Sequence, residues 1–476
     1  MNTLTKSLLV VPILLALSSC ARNPVTGRQD FVMMSEAQEV SIGLRQDILV
    51  KQQYRVYPSR ALQDYVESVG QKVATRSHRP LLKYHYTVVD SPEINAFALP
   101  GGYIYVTRGI LAYLNSEAEL AAVLGHETGH VTARHGVRQQ SASQAAQIGV
   151  TLASIFVPEL GTNAGYNLTN MLGGALLSGY GREHELEADR LGADYLARSG
   201  YDPHAMINVV GVLKNQELFD TDIAKQEGRE PRRYHGVFAT HPDADTRLQQ
   251  VVGESKSLEV ANPYEGRDVF LRQIDGLTFN DSSDQGVVRN NVFSHGELGF
   301  SISFPSEWKV TNSPASISAR SPDKLVSMQL KMDVKPTGTP TEYARRLTGG
   351  GSRVEPEEFN GLSAAIAYTP STITGVTYLG SKTYIVQTVA KSPEVMDAQR
   401  NAVLNSMRSL HGMSEAERKK LRPLQVKIIT VKTGDTYAEL ARRSPLGKNA
   451  ESYLRLINAQ YPKGEPTPGQ SIKIID

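Results

Sequence analysis

Apolar residues recur at helical spacing in two stretches of this chain and alternate in several others. Leu120, Val123 and Leu124 fall at i, i+3 and i+4, one stripe of a helix. Ser116 stands at the N-cap with Glu119 three residues on, a capping box, and Gly136 is the expected stop after His135. A second helical pattern carries Leu186, Leu191, Ala193, Tyr195 and Leu196 and ends near Gly200 and Pro203. Residues 103–106, Tyr-Ile-Tyr-Val, read as a strand. Polar clusters fill residues 253–290, and the pattern then changes. Residues 300–305 and 326–332 alternate, 364–368 and 382–389 are further strand candidates, and 341–347 and 398–410 are helical runs. Residues 425–476 read strand, helix, helix, strand.

These elements predict an α+β chain in several parts. A mainly helical domain with a small edge-strand sheet occupies 41–285, and an α+β sandwich occupies 286–412. Residues 413–424 form a charged linker, and a small βααβ module occupies 425–476. At 476 residues the chain is too long for one core. The net charge of +2 gives no bulk electrostatic case for nucleic acid. Trp308, the sole tryptophan, is expected in the core of the sandwich.

Lys6 precedes an apolar run over 8–17, half of what a bilayer span needs. Residues 1–19 therefore read as a signal peptide. The sequence Leu17-Ser18-Ser19-Cys20 resembles a bacterial lipobox, and Cys20 is the only cysteine. The resemblance implies that Cys20 is lipidated and heads a tether over 20–40. Ala21 is not aspartate, which by analogy with bacterial sorting implies the periplasmic face of the outer membrane, with the inner membrane as the alternative.

The chemistry lies on the first helix. His126-Glu127-Thr128-Gly129-His130 is an H-E-x-x-H sequence. His126 and His130 lie one turn apart on one face and can grip one metal ion, with Glu127 beside them as a general base. A polar surface helix would carry the same residue types. A catalytic zinc usually takes a third protein ligand and leaves one position to water. His135 would complete an all-histidine site, but Ala133 and Gly136 stand where that pattern needs glycine and histidine. The other candidates lie in the segment 181–190. There Glu185 and Asp189 share a helix face, so one can bind metal while the other orients a histidine. Glu183 and Glu187 read as a solvated acidic helix start. Spacing alone does not select Glu185 over its neighbours. Between the two helices, the Gly/Ala/Ser-rich residues 141–181 read as a buried helical hairpin or as an apolar flap.

With H-E-T-G-H followed by E-L-E-A-D, the chain resembles the gluzincin zinc metallopeptidases that include HtpX, BepA and the CAAX prenyl endopeptidase. The resemblance covers roughly residues 30 to 285. It implies one Zn²⁺ per chain, with His126, His130 and Glu185 as ligands, Glu127 as base and Asp189 behind a ligand. It implies that Asn95, Ala96, Phe97 and Ala98 form the strand that pairs with substrate backbone. It also implies that Thr240-His241-Pro242 with Arg247 reaches the active site, where His241 acts as a latch on the metal or as an oxyanion donor. The implied substrates are misfolded or stalled envelope proteins. A largely non-proteolytic assembly factor or wall tether with a latent zinc site is the alternative. The middle segment faintly resembles a PsbP/Mog-like sandwich. Residues 425–476 resemble a peptidoglycan-binding LysM module, although residues 444–448 depart from its pattern.

Overall fold

The computed structural model describes residues 20–142, 181–227, 258, 260–281, 286–313, 316–334, 338–349 and 351–476. The signal peptide, most of the Gly/Ala/Ser-rich stretch, and both His241 and Arg247 lie outside the described residues. Among the described residues, no helix is long and apolar enough to cross a membrane. Two compact units form: Met1–Phe279 together with Gln425–Asp476, and Asn280–Leu424.

In the first unit, strands β1 (Cys20–Arg22) and β2 (Gln29–Phe31) pair antiparallel. Helix α1 (Glu36–Gln53) starts at a Ser35–Gln38 capping box. Helix α2 (Arg60–Ala74) buries Leu62, Val66, Val69 and Val73 at helical spacing. Strands β3 (His85–Val89), β4 (Ala96–Leu99) and β5 (Tyr103–Thr107) form a sheet in the order β3–β5–β4. β3 runs parallel to β5, and β4 runs antiparallel to it at the edge. The β4–β5 turn needs Gly102, at φ 93°, where a Cβ would lie 2.6 Å from the Lys83 carbonyl oxygen.

Helices α3 (Arg108–Tyr113) and α4 (Glu117–Thr132) follow, then α5 (Arg182–Arg198), α6 (Ala205–Glu227) and α7 (Arg267–Ile274). α4 is buried on every side, as a helix at the centre of a domain must be. Its cap is Ser116, whose hydroxyl accepts from the Glu119 amide at 3.1 Å. The expected stop at Gly136 is not where α4 ends. Its last residue is Thr132, Ala133 is the C-cap, and Arg134 takes φ 56°. The chain turns there, and residues 135–142 are helical again. Buried ion pairs hold the turn: Arg134 Nε lies 3.0 Å and Arg79 Nη1 2.9 Å from opposite oxygens of Glu39.

Small residues set the spacing of α4 and α5. A Cβ at Gly192 would meet the His126 nitrogen at 3.0 Å and Met206 Cε at 2.4 Å. One at Gly129 would meet the Ala188 carbonyl oxygen at 3.0 Å. Glycine at these positions lets the two backbones touch, and that closeness carries the carboxylates of α5 to the histidines of α4.

In the second unit, β7 (Val287–Arg289), β8 (Val292–His295) and β9 (Phe300–Ser303) lie in a four-stranded sheet with β17 (His411–Gly412). β10 (Lys309–Ser313), β11 (Ser316–Arg320), β12 (Val326–Val334), β13 (Arg353–Phe359), β14 (Leu362–Tyr368), β15 (Thr372–Leu379) and β16 (Lys382–Ala390) form an antiparallel sheet in the order β10–β11–β12–β16–β15–β14–β13. Helices α8 (Pro340–Thr348), α9 (Pro393–Arg408) and α10 (Glu415–Lys420) accompany them. Phe293, Phe300, Trp308, Phe359, Tyr384 and Met396 share one core. Trp308 is thus a core residue.

Residues 425–476 belong to the first unit. β18 (Leu424–Thr430) and β19 (Ser471–Ile475) pair antiparallel, with α11 (Tyr437–Ala441) and α12 (Ala450–Ile457) between them. A third strand, β6 (Thr278–Phe279), completes the sheet in the order β19–β18–β6. Lys473 on β19 is wholly buried, and its Nζ donates to the carbonyls of Ala112 at 2.9 Å and Leu114 at 2.6 Å. Those are carbonyls at the C-terminal end of α3, which have no partner within the helix. Arg267 Nη2 donates to the Ser471 carbonyl, and Phe219 meets the Tyr453 ring edge-on.

Candidate metal centre

α4 and α5 bring His126, His130 and Glu185 together, with one ligand-type atom of each within 4.8 Å of the others. The two Nε2 atoms are 3.0 Å apart. His126 Nε2 lies 3.5 Å from Glu185 Oε2, and His130 Nε2 lies 3.6 Å from Glu185 Oε1. All three side chains are buried. The donor set of two imidazoles and a carboxylate, at this spacing, fits zinc. Glu127, next along α4, is also buried.

The far nitrogen of each histidine is held. His126 Nδ1 lies 2.8 Å from Asp189 Oδ1 on α5. His130 Nδ1 lies 2.8 Å from His135 Nδ1, and His135 Nε2 lies 3.0 Å from Glu187 Oε2. His135 is therefore turned onto the back of His130, outside the His126–His130–Glu185 cluster. Reading Glu187 as a solvated acid is corrected by these contacts, since it also accepts from Arg138 Nη1 at 3.2 Å. Two partners from one side of the turn hold its carboxylate in place. The hydrogen bond from His135 holds the Glu187 carboxyl down at about 2 against the opposing effect of burial. Burial lowers His135, and burial with the neighbouring His135 lowers His184 to about 4. The His184 ring stacks on His135, centroids 4.3 Å apart.

No sequence signal pointed to His135 in this role. On a continuous helix a residue at i+5 lies about 140° round from His130. Only the reversal at Arg134 brings it back.

Edge strand β4 carries Ala96, Phe97 and Ala98, with Asn95 just before it. Ala98 and Leu99 share a cleft of about 10 Å³ with His130, Val131 and Arg134, so the edge runs beside the C-terminal end of α4. Phe97 stacks on Tyr105 across the sheet, centroids 4.9 Å apart.

Two histidines of an H-E-x-x-H helix and a glutamate from a second helix define a gluzincin-type metal centre. Residues 60–255 match the family model described as Peptidase family M48. The beta-barrel assembly-enhancing protease of Yersinia pestis is 30% identical over 246 residues, covering 50% of this chain and 48% of that protein. The mitochondrial metalloendopeptidase OMA1 of Saccharomyces cerevisiae is 28% identical over 260 residues, covering 52% of this chain and 71% of that one. The chain thus spans about half the length of the first of these relatives. The solution structure of cyanobacterial PsbP from Synechocystis covers 26% of this chain and 95% of that one, at 14% identity and a TM-score of 0.21, a likeness that carries no argument.

Proposed function

We propose that the chain is a zinc-dependent endopeptidase of the bacterial envelope, acting on misfolded or stalled envelope proteins. The observation that carries this reading is the convergence of His126, His130 and Glu185 within 4.8 Å, with Glu127 on the helix that bears the two histidines. These three residues would hold one Zn²⁺. When bound, zinc supplies a Lewis acid that lowers the pKa of a coordinated water to about 7 and offsets oxyanion charge. The Glu127 carboxylate takes the proton of the attacking water and hands it to the leaving amine nitrogen. Asp189 fixes the His126 proton on Nδ1, so that the Nε2 lone pair faces Glu185. Residues Asn95 to Ala98 receive the substrate as an added strand, through main-chain hydrogen bonds.

His241 and Arg247 complete the proposal. As a latch His241 restrains the resting site, and His241→Ala raises proteolysis. As an oxyanion donor the same change lowers kcat by about a hundredfold or more. The lipobox reading puts the chain on the periplasmic face of the outer membrane through Cys20, and residues 425–476 are a candidate peptidoglycan contact. Labelling with radioactive palmitate, lost in Cys20→Ser, tests the anchor.

The decisive experiment compares wild type with Glu127→Gln. We expect zinc content near one per chain in both, hydrolysis of an unfolded protein in the wild type alone, and envelope proteins trapped by the variant. Undiminished hydrolysis in Glu127→Gln would refute the mechanism.

A further inference from the structure

The two histidines of the cluster are anchored in different ways. His126 rests its Nδ1 directly on a carboxylate, Asp189, a common support for a metal-binding imidazole. His130 has another imidazole in that place, with a carboxylate one ring further out. We propose that His135 and Glu187 are positioning residues for His130, a support in series that fixes its tautomer and ring plane for metal binding. This rests on the zinc-site reading above.

The proton arrangement follows from the distances. An imidazole that offers its Nε2 lone pair to a metal carries its proton on Nδ1. His130 Nδ1 lies 2.8 Å from His135 Nδ1 and donates there. His135 Nδ1 must then hold a lone pair, and its proton sits on Nε2. That nitrogen faces Glu187 Oε2 at 3.0 Å, an acceptor. One arrangement satisfies the whole chain, and it leaves His130 Nε2 free of a proton. A Glu187 that could not accept would release the His135 tautomer, and with it that of His130.

The surroundings hold the support still. His135 is fully buried. Its ring lies against His184 at an interplanar angle of 18°, and Arg138 Nη1 also holds Glu187 Oε2, at 3.2 Å. The Arg134 turn at φ 56°, pinned by Glu39, delivers His135 to this position. α5 thus contributes three carboxylates with three tasks: Glu185 inside the cluster, Asp189 behind His126, and Glu187 behind His135.

The test uses the full chain and metal affinity, measured by competition with a chromophoric chelator, together with the visible spectrum of the cobalt(II)-loaded protein. His135→Phe keeps the stack on His184 and removes the acceptor. We expect it to weaken zinc binding about 10- to 100-fold and to shift the cobalt bands. His135→Asn places an oxygen near the lost Nδ1 and should recover much of the affinity and the spectrum. Glu187→Gln should weaken binding toward the lower end of that range. The double variant His135→Phe/Glu187→Gln should be no weaker than His135→Phe alone, because Glu187 acts through His135.

Wild-type affinity and spectrum in His135→Phe would overturn the inference. So would His135→Asn behaving like His135→Phe, which would mean packing alone. A wild-type chain that takes up no zinc would instead overturn the zinc-site reading beneath it.

Discussion

Lys473→Met isolates the contact that ties residues 425–476 to the end of α3. The lysine stem is wholly buried, and methionine refills most of its volume. The change therefore removes two hydrogen bonds and little packing. Both acceptors, the carbonyls of Ala112 and Leu114, belong to buried residues at the end of α3. Stranding a buried acceptor costs about 1–3 kcal/mol, so two cost about 2–6 kcal/mol. Part of this is returned, because a buried cation is no longer taken out of water. Burial pushes Lys473 down and Glu119 up, and each is drawn back by the other's charge, so Glu119 also loses a partner. The net expectation is a loss of about 2–4 kcal/mol. For a unit of this size that is a fall in melting temperature of roughly 3–6 °C. Scanning calorimetry on zinc-saturated protein measures it. Limited proteolysis should release the segment 425–476 faster in the variant. A melting temperature within 1 °C of wild type, with unchanged proteolysis, would refute the claim that Lys473 caps α3.

Three further outcomes are expected. Glu185→Ala should bind zinc well below one per chain by atomic absorption, and retained stoichiometric zinc would shift the ligand role to Glu183 or His184. Gly192→Val pushes α5 off α4 at the His126 backbone. Chelator competition should show zinc affinity reduced by about tenfold or more, and unaltered affinity would mean that the seam is not what sets the site. Burial raises the Tyr384 phenol to about 12, above its unfolded value near 10. The stability it lends is complete below pH 10 and is lost as pH rises toward 12. Urea unfolding at pH 9 and 11.5 should show Tyr384→Phe losing less than wild type over that interval, by up to about 2 kcal/mol.

The elements whose signals are local were the legible ones. The Ser116 cap, the apolar stripe of α4 and the alternation at β12 depend on neighbours in sequence. The pairing of α4 with α5 was foreshadowed by chemistry, since two histidines on one helix need a third donor from elsewhere. What stayed hidden depends on distant partners. Arg134 leaves the helical region because Glu39, 95 residues away, holds its guanidinium, and nothing near Arg134 announces that. Glu187 looked like an ordinary acid in a first helical turn, and its task is set by His135, 52 residues away. Lys473 sits between Ile472 and Ile474, where alternation suggests an outward position. It points inward because the end of α3 is there to receive it. Local rules failed where the long-range contacts are polar.

The sheet β19–β18–β6 joins residues 471–475 to residues 278–279 across the whole of the second unit. A ribosome makes α3 and α4 hundreds of residues before it makes Lys473. Domains tend to complete in the order in which they are made, but this arrangement reverses that order. The second unit has all of its residues once Leu424 is in place, while the segment bearing His126 and His130 still waits for its last strand. A chain interrupted anywhere before β19 carries the H-E-x-x-H helix without the lysine that caps α3 beside it.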